Sequence, residues 1–450
     1  MPRVRAVLRA GRVALAGRVT PAGRVALAGR VVLAGRAALA AVLAAPLLAG
    51  CGGGGGGVTL HWYVGQEGSG SYREAAQRCT DASAGRYRIS LEPLPSNADV
   101  QRQLVVRRLA ARDRTVDLIG MDVIWTAEFA EAGWLRPWVG ARAAQVSAGV
   151  LAGPLATARY RGVLWAAPFT SNSQLLWYRK SRTGTVPATW DQLITAAEAL
   201  PRGQREVAVQ GGRYEGYTVW VTALLASAGT ELVVDADRPD RARAGLAPGP
   251  TEQALGVIRR LATSPVADPG LSVATEQDTR QAMLSGAASY SLNYPGFYAA
   301  ARAEQPGLID DLGWARYPET VAGTESRPPI GGINVGIGAF TDEPEFAAEA
   351  VQCITSLENQ VQYAVETANM PAREAAYDDP GLQEQFPADL LELFRTSIDT
   401  AGPRPASAYW ATIVNATLAK WHPADSVNPD STPQSSASFI DKVLHGDALL

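Results

Sequence analysis

The first fifty positions alternate short apolar blocks with arginine and small residues. They hold eight arginines and no acidic residue, and AGRVALAGR recurs there almost unchanged. After Arg36 a run of 12 apolar residues, AALAAVLAAPLL, ends at Leu48. A run of that length suits the core of a secretory signal and is short for a membrane span. Ala49 and Gly50 lead into Cys51, and six glycines follow, a flexible tether by composition. Residues 1–50 therefore read as a signal peptide and 51–57 as a cysteine with its tether, ahead of a domain that begins at Val58.

From Val58 the pattern changes to alternating strand-like and helix-like periods. VTLHWYV alternates and predicts a strand, and SYREAAQRCTDA has helical spacing. YRISLEPL at 87–94 predicts a second strand. ADVQRQLVVRRLAARD predicts a helix that starts near the Asn97/Asp99 cap signals. TVDLIGMDVIW at 115–125 begins a third strand, and TAEFAEAGWLRPW a short helix closing on Pro137. This order predicts an α/β fold with a parallel sheet flanked by helices. Ligands of such sheets bind beyond the carboxyl ends of the strands, and Asp122 stands at one of those ends.

Further along, GVLWAAPFTSNSQLLWYRK predicts two strands around a polar break, TSNS. Helices are predicted at ATWDQLITAAEAL, YTVWVTALLASAG, TEQALGVIRRLATS and TEQDTRQAMLSG, with Gly229 able to end the second. EVAVQ, AASYSLNYPG and PPIGGINVGIGAF predict strands, the second running into a turn. EPEFAAEAVQCITSLENQVQYAVE predicts a helix pair, and a last helix falls near SASFIDKVLHG. Four hundred residues beyond the leader suggest two lobes of ordinary domain size.

Charge narrows the function. Without residues 1–50 the chain keeps 33 basic groups against 44 acidic ones, a net charge near −11, which argues against nucleic acid as a partner. The three histidines, His61, His422 and His445, are scattered and suggest no metal site. There is no phosphate-binding loop, nucleophile elbow or dinucleotide fingerprint, and no cofactor is implied. Cys79 and Cys353 are open to two readings, a disulfide made in an oxidising compartment or two buried thiols.

Polar and aromatic residues recur at the ends of otherwise apolar elements: Gln66 and Glu67, Asp122, Asn172, Tyr214 and Glu215, Asn293 and Tyr294, Gly331 and Gly332, Arg404. Carboxylates, amides and arginine bind sugar hydroxyls, and aromatic rings cover a sugar's CH faces. Each position also admits a local reading. Asp122 suits a helix cap, Asn172 a turn, Tyr294 core packing and the glycine pair a bulge. Arg404 suits a surface charge, Glu276 a helix dipole partner, and Gln66 with Glu67 a solvated loop. The residues by themselves lead to an exported two-lobed binding protein or enzyme for a polar ligand.

MDVIWTAEFAEAGWL, PFTSNSQLLWYRK, the YEG before a long helix, NYPGFY, IGGINVGI, NMPARE and PRPASAYW occur in an order that resembles the extracytoplasmic sugar-binding lipoproteins of ABC importers. Within that family the chain is similar above all to actinobacterial members that bind trehalose for a recycling importer. Leu-Ala-Gly-Cys resembles a lipobox, which implies lipidation of Cys51 and attachment to the outer face of the cell membrane. The resemblance implies a monomer that closes two α/β lobes on a disaccharide and delivers it to permease subunits driven by an ATPase. It implies a hinge crossed three times, near Ala166, Pro329 and Arg373. Lobe one would span 58–165 with 330–373, and lobe two 166–329 with 374–450, placing Cys79 and Cys353 in one lobe.

By position, Asp122, Asn172, Glu276 and Arg404 look like the hydroxyl-binding set, with Glu67 beside them. Gly331 and Gly332 would let backbone approach the sugar. Tyr294 stands where close relatives carry tryptophan, which keeps an aromatic face and adds a phenol. Two other functions compete: a receptor for a different sugar, and a glycosidase using Asp122 and Glu276 as its carboxylate pair.

Overall fold

The computed structural model describes residues 57–66, 69–95, 97–402 and 404–447. The expected signal peptide, the lipidated Cys51 with its tether, and Glu67 lie outside the described residues.

The N-terminal alternation forms the pattern it predicts. Val58–Gly65 pairs in parallel with Tyr87–Leu94 from Val58↔Tyr87 to Gly65↔Leu94, and with Leu118–Asp122 through Trp62↔Leu118. The helix Ser71–Ala82 returns the chain between the first two strands. It buries Tyr72, Ala75, Ala76 and Cys79, the i, i+3, i+4, i+7 stripe of a helix lying on a sheet. Asn97 caps the next helix, Ala98–Ala110, by accepting the Val100 amide at 3.1 Å.

The sheet then departs from the all-parallel expectation. It has six strands in the order Met370–Pro371, Ala166–Ser173, Ile330–Ile337, Leu118–Asp122, Val58–Gly65, Tyr87–Leu94. Ile330–Ile337 runs antiparallel to Leu118–Asp122 and to Ala166–Ser173. Sequence periodicity reports alternation within a strand but not the direction of a partner distant in the chain, so these pairings were not visible.

A second sheet orders Leu312–Ala315, Leu175–Arg179, Ala288–Asn293 and Glu206–Ala208. Its central strand, Leu175–Arg179, follows Ala166–Ser173 after one residue, Gln174, which is buried. The chain thus leaves the first sheet after Ser173, not near Ala166, and the segment 166–173 assigned to lobe two pairs in the sheet of lobe one. The polar TSNS stretch read as a break is itself strand. Thr170, Ser171 and Ser173 are buried, and the Ser171 and Ser173 hydroxyls donate to the Gly331 and Pro329 carbonyls at 3.2 and 2.9 Å. Local hydrogen-bond partners let polar residues continue a buried strand.

Around the second sheet, Trp177, Phe297, Phe386 and Phe394 pack edge to face or tilted, with ring centroids 5.0–6.1 Å apart. The helix Glu215–Ser227 is buried on nearly every side, as its largely apolar sequence dictates. Sequence reading passed over Ala388–Asp399, whose Leu390, Leu391, Phe394 and Ile398 form a helical stripe, and also Trp410–Trp421 and the short strand Leu312–Ala315. Cys79 and Cys353 are joined by a disulfide that ties Ser71–Ala82 to the helix Pro344–Ile354. Among the described residues no helix is long and apolar enough to cross a membrane.

Candidate functional site

A cavity of ≈1130 Å³ opens where the ends of the two sheets face each other. That is slightly above the volumes usual for small-molecule sites, about 300–1,000 Å³. Asp122 ends its strand there and Asn172 lies one residue from the end of Ala166–Ser173. From the other side Glu215 and Glu276 open the helices Glu215–Ser227 and Glu276–Ser285, and Tyr294 follows the strand Ala288–Asn293.

Arg404 joins the two sides. Its side chain is buried, so the surface-charge reading fails. Nη2 donates to Asp122 Oδ1 at 2.9 Å and Nη1 to Glu215 Oε1 at 2.5 Å. Trp410 Nε1 donates to the same Glu215 oxygen at 2.8 Å. Asp122 Oδ1 also accepts the Ile124 amide at 3.1 Å, so its helix-entry role and its ion pair coexist. Burial works against the Arg404 charge, and the carboxylates of Asp122 and Glu215 more than offset it, raising its pKa above the ordinary guanidinium value. Burial raises the Glu215 pKa even with Arg404 beside it. Both ends of the guanidinium fork are paired, while its Nε is buried without a partner.

Glu276 differs from these two acids. The cap of its helix is made by its neighbours: the Asp278 carboxylate accepts the Thr275 amide at 2.8 Å and hydroxyl at 2.6 Å. The helix-start reading is therefore satisfied by Asp278, and Glu276 presents its carboxylate to the cavity. Water reaches it, but confinement by the cavity walls first, and the charges of Glu215 and Asp122 second, push its pKa from the usual 4.5 up to about 7. An acid whose folded pKa is raised binds more protons folded than unfolded, so stability falls as pH climbs from about 5 through about 7. Glu276→Gln is expected to be more stable than the parent at pH 8, by about 1 kcal/mol once solvent screening is allowed for, with the gap closing at pH 5.5. Urea melts of the ligand-free protein at both pH values check this.

Tyr294 is half-buried, and burial followed by the Glu276 charge keeps its phenol neutral. Asn293 sets it in place, accepting the Tyr294 amide on Oδ1 at 2.8 Å and donating from Nδ2 to Thr279 at 3.1 Å. Tyr214 lies against Gly216, where an added Cβ would come within 2.3 Å of the phenol ring. Its hydroxyl is buried without a side-chain partner.

The glycine pair lines the cavity, but its first role is strand packing. A Cβ at Gly331 would meet Asn172 Oδ1 at 2.3 Å, and one at Gly332 the Thr170 carbonyl oxygen at 2.2 Å. Gly332 also has φ 137°, which side chains rarely adopt. The register shifts just beyond, between Ile333 and Asn334, in line with the bulge reading. Gly332→Ala is expected to cost about 2–4 kcal/mol in denaturant unfolding, because the clash is with backbone.

Six side chains or backbones named from sequence thus line one cavity with Arg404: Asp122, Asn172, Glu276, Tyr294, Gly331 and Gly332. Glu215 was noticed at an element end yet left out of the hydroxyl-binding set, and Trp410 was not singled out. The negative charge of Glu215 at a helix start was the available signal; only tertiary contact connects it to Arg404. Among the described residues no His, Cys, Asp and Glu group could hold a metal.

The family model for bacterial extracellular solute-binding proteins matches residues 87–361. A probable ABC transporter-binding protein of Deinococcus radiodurans is 25% identical over 335 residues, 71% of this chain and 76% of its own length. Maltose-bound MalE3 of T. maritima superposes with a TM-score of 0.73 at 23% identity, covering 87% of this chain and 100% of its own. The GacH receptor of Streptomyces glaucescens, solved unliganded and with acarbose, gives a TM-score of 0.72 at 19% identity over 86% of this chain and 100% of its own. The cyclic alpha-maltosyl-1,6-maltose binding protein of Arthrobacter globiformis gives 0.71 at 17% identity over 87% and 100%. These likenesses establish the two-lobed α/β fold.

Proposed function

The chain belongs to the family of bacterial extracellular solute-binding proteins, and from that premise we propose that it captures a sugar between its lobes for an ABC importer, with trehalose or a close analogue as its ligand. The family is one of binding proteins, not enzymes, which sets aside the glycosidase alternative.

One observation carries the reading: Arg404 is held between Asp122 on one side of the cavity and Glu215 on the other. A ligand that exchanges hydroxyls with this triad contacts both lobes at once, and its binding energy goes into closing them. Closure around ligand is a hinge motion, which a permease can distinguish from the open form. Asn172, Glu276 and Tyr294 add an amide, a carboxylate and an aromatic face to the same wall. In this reading the lobes are those expected from sequence, with the first crossing moved to Gln174, and the protein acts as a monomer.

Calorimetric titration with trehalose, maltose, sucrose and glucose tests the proposal. Tight binding of trehalose alone supports it. Heat with none of them removes trehalose as the ligand. A second reading, a larger α-linked oligosaccharide, is favoured by the cavity's size and by the maltose- and acarbose-bound states of the compared proteins; maltotriose and maltotetraose added to the panel decide between them.

Location follows from the leader. Lipidation of Cys51 would anchor the domain outside the membrane through acyl chains, two of which suffice for stable attachment. Cys51→Ser is expected to move the protein from the membrane fraction to the medium of expressing cells, read by fractionation. Retention on membranes would remove the lipid anchor.

A further inference from the structure

The cavity's charge is unbalanced. Four carboxylates line it, Asp99, Asp122, Glu215 and Glu276, against two guanidinium groups, Arg280 and Arg404. Arg404 is committed to Asp122 and Glu215. Arg280, one turn along the helix from Glu276, donates instead to Gln277 Oε1 at 2.5 Å and lies 3.9 Å from Glu304. Neither cation forms an ion pair with Glu276, whose helix-capping role Asp278 already fills, and the Arg404 charge offsets only part of the effect of burial on it. An independent observation points the same way. Asn172 Oδ1, on the opposite wall, is a buried acceptor with no hydrogen-bond partner in the protein. A buried acceptor of this kind asks for a donor from the ligand.

The surroundings of Glu276 suit a cation. Tyr214 and Tyr294 line the same cavity, and burial first, with the Glu276 charge second, raises the pKa of both phenols. Aromatic faces beside a carboxylate stabilise an ammonium group through the ring quadrupole as well as through charge. An anionic sugar would meet a wall whose carboxylates outnumber its guanidinium groups.

Building on the sugar-binding function proposed above, we propose that the cavity accepts amine-bearing sugars, with the ligand's ammonium group set against Glu276 and beside the rings of Tyr214 and Tyr294. A protonated amine supplies donors that a hydroxyl supplies more weakly, and it cancels a charge the protein leaves exposed to the cavity. Neutral disaccharides bind the same wall through hydroxyls; the amine adds affinity, and a phosphate or carboxylate subtracts it.

The probes are trehalose and maltose, each compared by calorimetry with its 2-amino-2-deoxy analogue and with that analogue's N-acetyl form, at pH 7.5. The amine is expected to bind at least tenfold tighter than its parent in one of the two pairs, with the N-acetyl form no tighter than the parent. At pH 5.5, where Glu276 begins protonated, the advantage should shrink, and binding of the amine should release a proton. That release is read from the dependence of the measured heat on buffer ionisation enthalpy. In Glu276→Gln the ratio of amine to parent affinity should fall towards one, whatever happens to the absolute values. The wild-type pH series stands by itself if the variant does not fold. Parents that bind while their amines bind no tighter overturn this inference and leave the sugar-binding function standing. Absence of binding by every probe overturns both.

Discussion

Arg404→Ala is expected to lower sugar affinity by at least a hundredfold and to destabilise the ligand-free protein by about 3–5 kcal/mol. The two effects have one cause. The guanidinium is buried between Asp122 and Glu215, and no other arginine pairs with either acid among the described residues. Removing it strands two carboxylates in a confined site, which is the costly way to break a buried ion pair. The same change takes away the group that ties the two walls, so a ligand must close the lobes across a repulsive gap. Arg404→Lys is expected to recover part of the stability and less of the affinity. An ammonium group supplies charge but not the fork whose two ends meet two acids at once. Calorimetry and urea melts measure the pair of effects. Unchanged affinity in Arg404→Ala removes the arginine from the binding site, and unchanged stability contradicts the ion triad.

The Cys79→Ser/Cys353→Ser double variant is the second large case. The bond joins residues 274 apart in sequence, and the whole second sheet lies within that interval. Cross-linking so long a segment restricts the unfolded chain strongly, and losing a native disulfide costs about 2–5 kcal/mol. Cys79 is fully buried, and Asn359 bridges the two helices, accepting from Arg78 Nε on Oδ1 at 2.8 Å and donating from Nδ2 to the Cys353 carbonyl at 2.8 Å. Helix packing should therefore survive, with sugar affinity within a few-fold of the parent, because neither cysteine lines the cavity. Denaturant unfolding with and without reductant checks the loss. An unfolding midpoint indifferent to reductant would mean that the cross-link contributes nothing.

Much of the architecture was legible along the chain. VTLHWYV, YRISLEPL and the stripe Tyr72, Ala75, Ala76, Cys79 each show one periodicity, and each forms the element that periodicity demands. The Tyr217–Leu225 segment, apolar but for Thr218 and Thr222, forms a buried helix. Polarity does not end a strand where distant partners satisfy it. TSNS continues a buried strand because the carbonyls of a distant strand, at Pro329 and Gly331, accept its hydroxyls. The helix Ala388–Asp399 was passed over although Leu390, Leu391, Phe394 and Ile398 carry a clear stripe.

For the site, sequence supplied residue types at element ends: Asp122 after an apolar strand, Tyr294 before Pro295, a glycine pair in a strand. Chemistry alone could nominate them, since hydrogen-bonding and aromatic groups at the ends of strong core elements have few local duties. Tertiary structure decided which of them share duties. It showed that Asp278, not Glu276, caps its helix, that Gly332 yields to the Thr170 carbonyl, and that Arg404 is shared by Asp122 and Glu215, which lie 282 and 189 residues from it along the chain. Periodicity and local chemistry are properties of neighbouring residues, so the chain determined its elements and its candidate groups by itself. Ion pairing, confinement of charge and close backbone approach depend on distances between residues far apart in sequence, and only the folded chain brings those distances into being.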